Sequence, residues 1–463
     1  MTLVSPAPRR ASAPPAAPHA PQPGTAPLTA SRSAAPGRDR AVDLVRAACL
    51  IAVVVMHSLM VGIGIRDGEV VLENALESWS GFTVFSWFTQ MMPLFFIMGG
   101  FASATHFRRV RGRGVGTAPY LATRMRRLLP VPLAAAVAVT ATLAALSAAG
   151  LSPELVATAG WRISQPLWFL GVYVLCTAFV PLGLRLHERA PVATLISIGI
   201  GIAAVDAVRF LSGVDAIGFA NLLFVWLFVQ QLGFWLADGR VPSLRVAGWA
   251  VVGLAALMLT GLSPANLYEA LNPPTAALAL LGVVQLALFA RFRPALAAWA
   301  ESPRVQRCSD ALNGASMTVY AWHMPVVVLL AGATLAAGSL GGAAALIPDP
   351  LSAAWWLGRP AWLLAAALAV AAVMPLVHRW ERRPSAAPVS AQPIRVAAAV
   401  LCGAGGVLVV LATGGALWAW AAGAILLALG TRAVTARAAT RPPASPRPPA
   451  HPHSIGVTSA GCR

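Results

Sequence analysis

Long apolar segments separated by short polar stretches make up most of this chain. A helix needs about 17 to 25 mostly apolar residues to cross a hydrocarbon core of about 30 Å. Ten segments reach that length, at residues 42–64, 82–105, 128–150, 166–186, 191–211, 217–237, 244–263, 274–291, 312–338 and 355–378. A further apolar stretch, 396–429, is interrupted by Thr413, Gly414 and Gly415 and can fold as a hairpin of two shorter spans.

The pattern therefore predicts an all-α fold, a polytopic transmembrane helix bundle of about ten core spans with a C-terminal hairpin of two. The weakest span is 191–211, because we expect Asp206 and Arg209 at or beyond its outer end. Residues 1–40 and 431–463 are rich in Pro, Ala and Arg, which predicts disordered cytoplasmic tails. Between them we expect a transmembrane domain at 41–384 and the additional hairpin within 385–430.

Composition agrees with a membrane protein, since 58% of the residues are hydrophobic and only 11% are charged. The net charge of +18 comes from arginine alone, and its placement tests the layout. With a cytoplasmic N-terminus, all but four arginines lie on the inner side, as the positive-inside rule requires. The exceptions are Arg66, Arg162, Arg209 and Arg359. We therefore expect a multi-pass protein of the cell membrane, and no nucleic-acid partner.

Cysteine spacing gives no sign of a metal site. The chain has five cysteines, none in a CxxC pair: Cys49, Cys176, Cys308, Cys402 and Cys462. Scattered cysteines argue against a structural zinc site and against a disulfide framework. We expect no metal.

Arg46 and His57 are the first candidates for chemistry, because ionisable side chains inside a membrane span are costly. They stand eleven residues apart, so on a helix they differ by about 20° in direction and by roughly 16 Å in rise. One helix face can thus carry an arginine near the membrane surface and a histidine deeper in.

Three further patches depart from plain Ala, Leu and Val packing. They are MMPLFFIMGGF at 91–101, followed by a basic loop that ends in RMRRLLP; QPLWFLGVYVL at 165–175; and TVYAWHMPVV at 318–327. Together with the arginine, ten residues and histidine of the first span, these motifs resemble the acyltransferase 3 family of integral membrane acyltransferases. The resemblance covers about residues 41–384.

That resemblance implies a ten-helix enzyme that takes an acyl group, usually acetyl from cytosolic acetyl-CoA, and delivers it to a hydroxyl or similar acceptor. Carried over by position, Arg46, Arg124 and Arg127 would serve the donor, and His57 would be the catalytic base. We expect two departures from the family pattern: no appended SGNH-type hydrolase domain, and an additional segment, 396–429, beyond the usual core. Both leave the acceptor open, and we expect a carbohydrate or another envelope or secreted metabolite.

The residue types support the same chemistry. Coenzyme A carries a pyrophosphate and a ribose phosphate, which arginine binds through paired N–H donors. Histidine changes charge near neutral pH, which suits a base that takes a proton from an acceptor hydroxyl. His323, near the middle of the ninth span, can orient the acceptor, relay a proton or make a structural hydrogen bond. Trp168 can stack on a sugar or on adenine, or anchor its helix at the interface.

Structural interpretations of the same residues stay open. His57 can be a helix-packing histidine, and the arginines can reflect topology alone.

The alternative function is a secondary transporter or exporter of a small solute, with buried histidines relaying protons. No duplication of halves is evident in the sequence, although transporters often show one. A non-catalytic scaffold would not explain why Arg46 and His57, which are costly to place in a membrane, share one helix face. The oligomeric state is left undetermined.

Overall fold

The computed structural model of this protein describes residues 39–66, 69–341, 347–381 and 389–435. Nearly all of both predicted tails lies outside these residues. Within them the chain forms sixteen α-helices, one short 3-10 helix and one two-stranded sheet. In chain order the elements are α1 (Arg40–Met60), β1 (Val61–Arg66), β2 (Glu69–Asn74), α2 (Phe82–Thr89), α3 (Met92–Arg111), α4 (Thr117–Leu128), α5 (Pro130–Ala148), α6 (Pro153–Ser164), α7 (Leu167–Arg189), α8 (Pro191–Ser212), the 3-10 helix (Asp215–Ala220), α9 (Asn221–Ala237), α10 (Leu244–Leu259), α11 (Ala276–Ala300), α12 (Pro303–Gly314), α13 (Ser316–Gly341), α14 (Ala353–Glu381), α15 (Pro393–Ala412) and α16 (Leu417–Val434).

Helical segments account for every predicted span. Eleven segments of the described chain are long and apolar enough to cross a membrane. The remaining predicted span, 244–263, forms α10, whose sixteen residues rise only about 24 Å, less than a hydrocarbon core of about 30 Å. The predicted C-terminal hairpin is α15 and α16, here called the C-terminal helix pair. The chain is an all-α, multi-pass membrane protein, as its apolar pattern predicts.

The first predicted span, 42–64, is wrong at its end. Helix α1 stops at Met60, and the chain continues as β1, which pairs with β2 in antiparallel register from Val61↔Asn74 to Arg66↔Glu69. The sequence VGIGIR explains the change, because glycine is a poor helix former and Gly–Ile alternation has the period of a strand. His57 therefore lies in the last turn of α1.

The second predicted span, 82–105, is two helices instead of one. The break falls at Gln90 and Met91, just before Pro93 in the first turn of α3. The interrupted backbone is satisfied from another helix, since the side-chain amide of Gln285 donates to the Gln90 carbonyl at 2.6 Å. Gln90 in turn donates through its side chain to the Leu267 carbonyl at 3.0 Å.

The expectation that Asp206 lies at or beyond the outer end of its span is wrong. Helix α8 continues to Ser212, and the Asp206 side chain is buried. Its carboxylate accepts hydrogen bonds from the backbone N–H of Ala276 at 2.8 Å and from the side-chain amide of Asn221 at 2.9 Å. Ala276 is the first residue of α11, so the carboxylate satisfies a helix N-terminus that has no intrahelical acceptor.

Helices α3 and α9 meet at small residues in the centre of the bundle. A Cβ atom added to Gly100 would overlap the backbone carbonyl of Gln230, and one added to Gly233 would overlap that of Ile97. Such close backbone approach is typical of packing between membrane helices. The C-terminal helix pair packs beside this core, against α5 and α7.

The two ends of the bundle differ in charge. The end that holds the start of α1, the end of α3 and helix α4 is here called the arginine end. Ion pairs join elements there: Arg108 bonds to Asp238 at 2.6 Å, and Arg111 bonds to Glu188 at 2.7 Å. The opposite end, which holds β1 and β2, is here called the strand end.

Candidate active site

Helix α1 carries Arg46 and His57 without interruption, so the eleven-residue spacing places both on one face. Arg46 lies toward the arginine end, where its Nε atom is buried and has no hydrogen-bond partner among the described residues. A buried guanidinium N–H without an acceptor favours an anionic ligand at this position. His57 is half-buried as a residue.

His57 and His323 are in direct contact. The His57 Nδ1 atom lies 3.0 Å from the His323 Nε2 atom, and the ring centroids are 5.1 Å apart. His323 is completely buried on α13, 266 residues away in sequence. The two deeply placed histidines of the sequence analysis therefore form one unit, here called the histidine pair. Both residues are candidates in the sequence, but nothing in the sequence predicts that they touch.

The partners of His323 assign the hydrogens of the histidine pair. His323 Nδ1 lies 2.7 Å from the Tyr320 carbonyl and 3.2 Å from the Val319 carbonyl. A carbonyl only accepts, so Nδ1 carries the hydrogen, and the Nε2 atom of a neutral His323 must accept. His57 then donates from Nδ1, which leaves its Nε2 atom with a lone pair. No described residue hydrogen-bonds that Nε2 atom.

A row of aromatic rings leads from the histidine pair toward the arginine end. The Tyr320 ring lies 6.1 Å from His323 and 4.9 Å from Phe169, measured between centroids. Phe169 stacks on Tyr173 at 5.6 Å, and the phenol of Tyr173 interacts with the guanidinium of Arg124. The Tyr320 hydroxyl also donates to the Pro166 carbonyl, which holds the start of α7 against α13. These aromatic residues connect the interior of the bundle to a basic surface.

That basic surface holds the two predicted donor ligands of α4. Arg124 is half-buried against the phenols of Tyr120 and Tyr173, whereas Arg127 is exposed. Both are close enough to act electrostatically on His106, as is Arg109. The guanidinium groups form a cluster that suits several phosphate oxygens at once.

Trp168 lies outside the row. Its ring packs 5.3 Å from Trp226 and 6.3 Å from Phe169, and it is half-buried in this aromatic group. Sequence reasoning missed Tyr320 and Tyr173. Tyr320 stands three residues before His323, a spacing that places both side chains on one helix face and could have indicated the link.

The chain matches a known protein family. The model of the acyltransferase 3 family, described as an acyltransferase domain, matches residues 39–378. The match ends before the C-terminal helix pair begins. No curated protein and no solved structure matches this chain.

Proposed function

The chain belongs to the acyltransferase 3 family, and from this premise we propose that it transfers an acyl group from cytosolic acyl-CoA to a hydroxyl-bearing acceptor. The expected group is acetyl, and the expected acceptor is a carbohydrate or another envelope or secreted metabolite. The observation that carries the proposal is the hydrogen bond between His57 and His323, which leaves the His57 Nε2 atom free to accept a proton.

The histidine pair supports general base catalysis. An acceptor hydroxyl bound at His57 Nε2 gives its proton to the imidazole as its oxygen attacks the thioester carbonyl. The resulting imidazolium is stabilised because His57 Nδ1–H already donates to His323. When the carbon–sulfur bond breaks, the imidazolium returns the proton to the departing CoA thiolate. The acyl ester of the acceptor and free CoA are then the products, and His57 is neutral again.

The arginines support binding of the donor from the arginine end. Arg124 and Arg127 would hold phosphate oxygens of CoA, and the unpartnered Arg46 Nε would meet a further acceptor atom. Arg46 and His57 differ by roughly 16 Å in rise along α1, a distance that the extended pantetheine arm can cover. The thioester would then lie beside the His57 ring while the phosphates stay at the surface.

The proposed orientation gives a reason for a membrane-spanning enzyme. With a cytoplasmic N-terminus, the arginine end faces the cytosol and the strand end faces outward, in a cell membrane. The donor and the acceptor then approach the histidine pair from opposite sides, and the acyl group crosses while CoA stays inside. The family match favours this enzyme over the transporter alternative.

Transfer of labelled acetyl tests the proposal. We expect full-length protein in lipid nanodiscs to move label from acetyl-CoA to a cell-envelope fraction. His57→Ala should lower that rate by about 10²- to 10⁴-fold, the usual contribution of a positioned base. His187→Gln is the matched control, because His187 is a buried histidine that bonds to Asp238 at the arginine end instead. A His57→Ala protein that transfers at the wild-type rate would refute the role of His57.

A further inference from the structure

A second group of aromatic residues lies beside the end of α1, at the strand end. The Trp362 indole N–H of α14 donates to the Ser58 carbonyl at 2.8 Å, and Ser58 is the residue next to His57. Trp355, about two turns earlier on α14, is buried in a cluster with Met56. Helix α14 thus packs against the residue before His57, Met56, and the residue after it, Ser58.

Arg359 lies between these two tryptophans. Its guanidinium carbon is 4.1 Å from the Trp355 ring centroid and 5.4 Å from that of Trp362. Its Nε–H donates to the Trp355 carbonyl of the same helix at 3.3 Å. Stacking on the rings holds the guanidinium by its faces and leaves the donors at its outer edge available.

Arg359 differs from Arg162 and Arg209, two other arginines of the strand end, because those two have a carboxylate nearby. Arg162 interacts electrostatically with Glu73 and Glu77, and Arg209 does so with Asp206. Within the described residues, no carboxylate forms an ion pair with the half-buried Arg359. A partly desolvated cation without a counter-charge is costly, and an anionic ligand relieves that cost.

The geometry points to Arg359 as the binding site for an anionic group, a carboxylate or a phosphate, carried by the hydroxyl-bearing acceptor. This inference rests on the proposed function, since it assigns the acceptor class of that same site. Trp362 joins the anion site to the residue beside His57, so an acceptor held at Arg359 can present a hydroxyl to the base. Further aromatic surface lies alongside, because Trp356 packs 4.7 Å from Trp355 and 5.2 Å from Trp79. Such faces suit the ring of an acidic sugar.

Competition by a charged and a neutral sugar tests the assignment. The assay follows acetyl transfer from labelled acetyl-CoA to an envelope fraction, by full-length protein in phosphatidylcholine nanodiscs, with added glucuronate or glucose. We expect glucuronate to inhibit wild-type transfer at about tenfold to a hundredfold lower concentration than glucose, the range for one charged hydrogen-bonded contact. Arg359→Gln should bring the two inhibitory concentrations together.

Two further variants keep the result interpretable. Arg209→Gln removes a cation at the same end that already has Asp206 beside it, and it should keep the wild-type preference for glucuronate. Arg359→Lys retains the charge but loses the planar stacked fork, and its preference should fall between those of wild type and Arg359→Gln. If Arg359→Gln transfers too little label to measure, the ratio of the two inhibitory concentrations in Arg359→Lys tests the inference instead.

Three results would overturn the inference. One is equal inhibition of wild type by both sugars, and another is an Arg359→Gln protein that still prefers glucuronate. The third is a glucuronate preference that disappears in nanodiscs containing phosphatidylglycerol, which would assign Arg359 to a lipid phosphate instead of the acceptor. Failure of the wild type to transfer any label would instead refute the proposed function itself.

Discussion

Replacing His323 with leucine tests whether the histidine pair works as one unit. The substitution removes the Nε2 acceptor that lies 3.0 Å from His57 Nδ1 and leaves a side chain of similar bulk. His57 would then lose the partner that fixes its tautomer and stabilises its charged form. A hydrogen bond to a charged group contributes about 1.5 to 3 kcal/mol. At about 1.4 kcal/mol for each factor of ten, kcat should fall by about 10- to 150-fold.

Steady-state transfer of labelled acetyl measures this effect, with kcat and KM determined separately. KM for acetyl-CoA should change little, because His323 lies away from the arginines that would hold the donor. Adding His323→Leu to His57→Ala should cost almost nothing more, since an orienting residue has no effect once the base is absent. His323→Gln should retain more activity than His323→Leu, because its amide oxygen can accept from His57 Nδ1.

A purely structural role for His323 makes different predictions. It would lower the yield of folded protein in both variants alike, and the surviving enzyme would keep its kcat. His187→Gln serves as the matched control, since it also removes a buried histidine but not from this pair. Losses that add in the double variant, or equal kcat in His323→Leu and wild type, would refute the reasoning.

Two other predictions follow from the packing and from the basic surface. Gly100→Val should lower the free energy of unfolding by about 3 kcal/mol or more, because the new side chain would overlap the Gln230 backbone. Thermal unfolding in detergent measures this loss. Gly99→Val is the control, since nothing lies near the Cβ position of Gly99. Arg124→Gln should raise KM for acetyl-CoA about tenfold with kcat nearly unchanged, and a lowered kcat at constant KM would contradict its role in donor binding.

The lengths of the apolar segments predicted the helices well, because a membrane strongly restricts the conformations that the backbone can adopt. Each N–H and C=O must be satisfied within its own segment, so a run of about 20 apolar residues forms a helix whatever its neighbours are. Arg46 and His57 could be placed on one face for the same reason, since both lie on the single helix α1.

The places where the helices depart from the predicted spans had only weak indications in the sequence. Gly62 and Gly64 alternate with isoleucines, yet the apolar character of 61–65 favoured a longer helix. The break at Gln90 depends on the Gln285 side chain, which comes from α11 and has no signature near Gln90 in sequence. The sequence placed Asp206 at or beyond the outer end of its span, because its role as an acceptor depends on the N-terminus of α11, which no local pattern indicates.

The pairing of the histidines could not be predicted from spacing. It depends on how α1 packs against α13, and no local pattern fixes a contact across 266 residues. Trp355 and Trp362 stand four residues before and three residues after Arg359, so their stacking on Arg359 could be predicted from helical spacing. The contact between Trp362 and Ser58 could not, since Ser58 lies on α1.

A structure of the full-length protein in nanodiscs with acetyl-CoA, solved by cryo-electron microscopy, is the strongest test of His57 as the base. We expect CoA phosphates at Arg124 and Arg46, and the thioester beside the His57 ring. We also expect space for an acceptor hydroxyl within about 2.6 to 3.2 Å of His57 Nε2. Lipid chains packed against that face of the imidazole, or CoA bound away from His57, would contradict this mechanism.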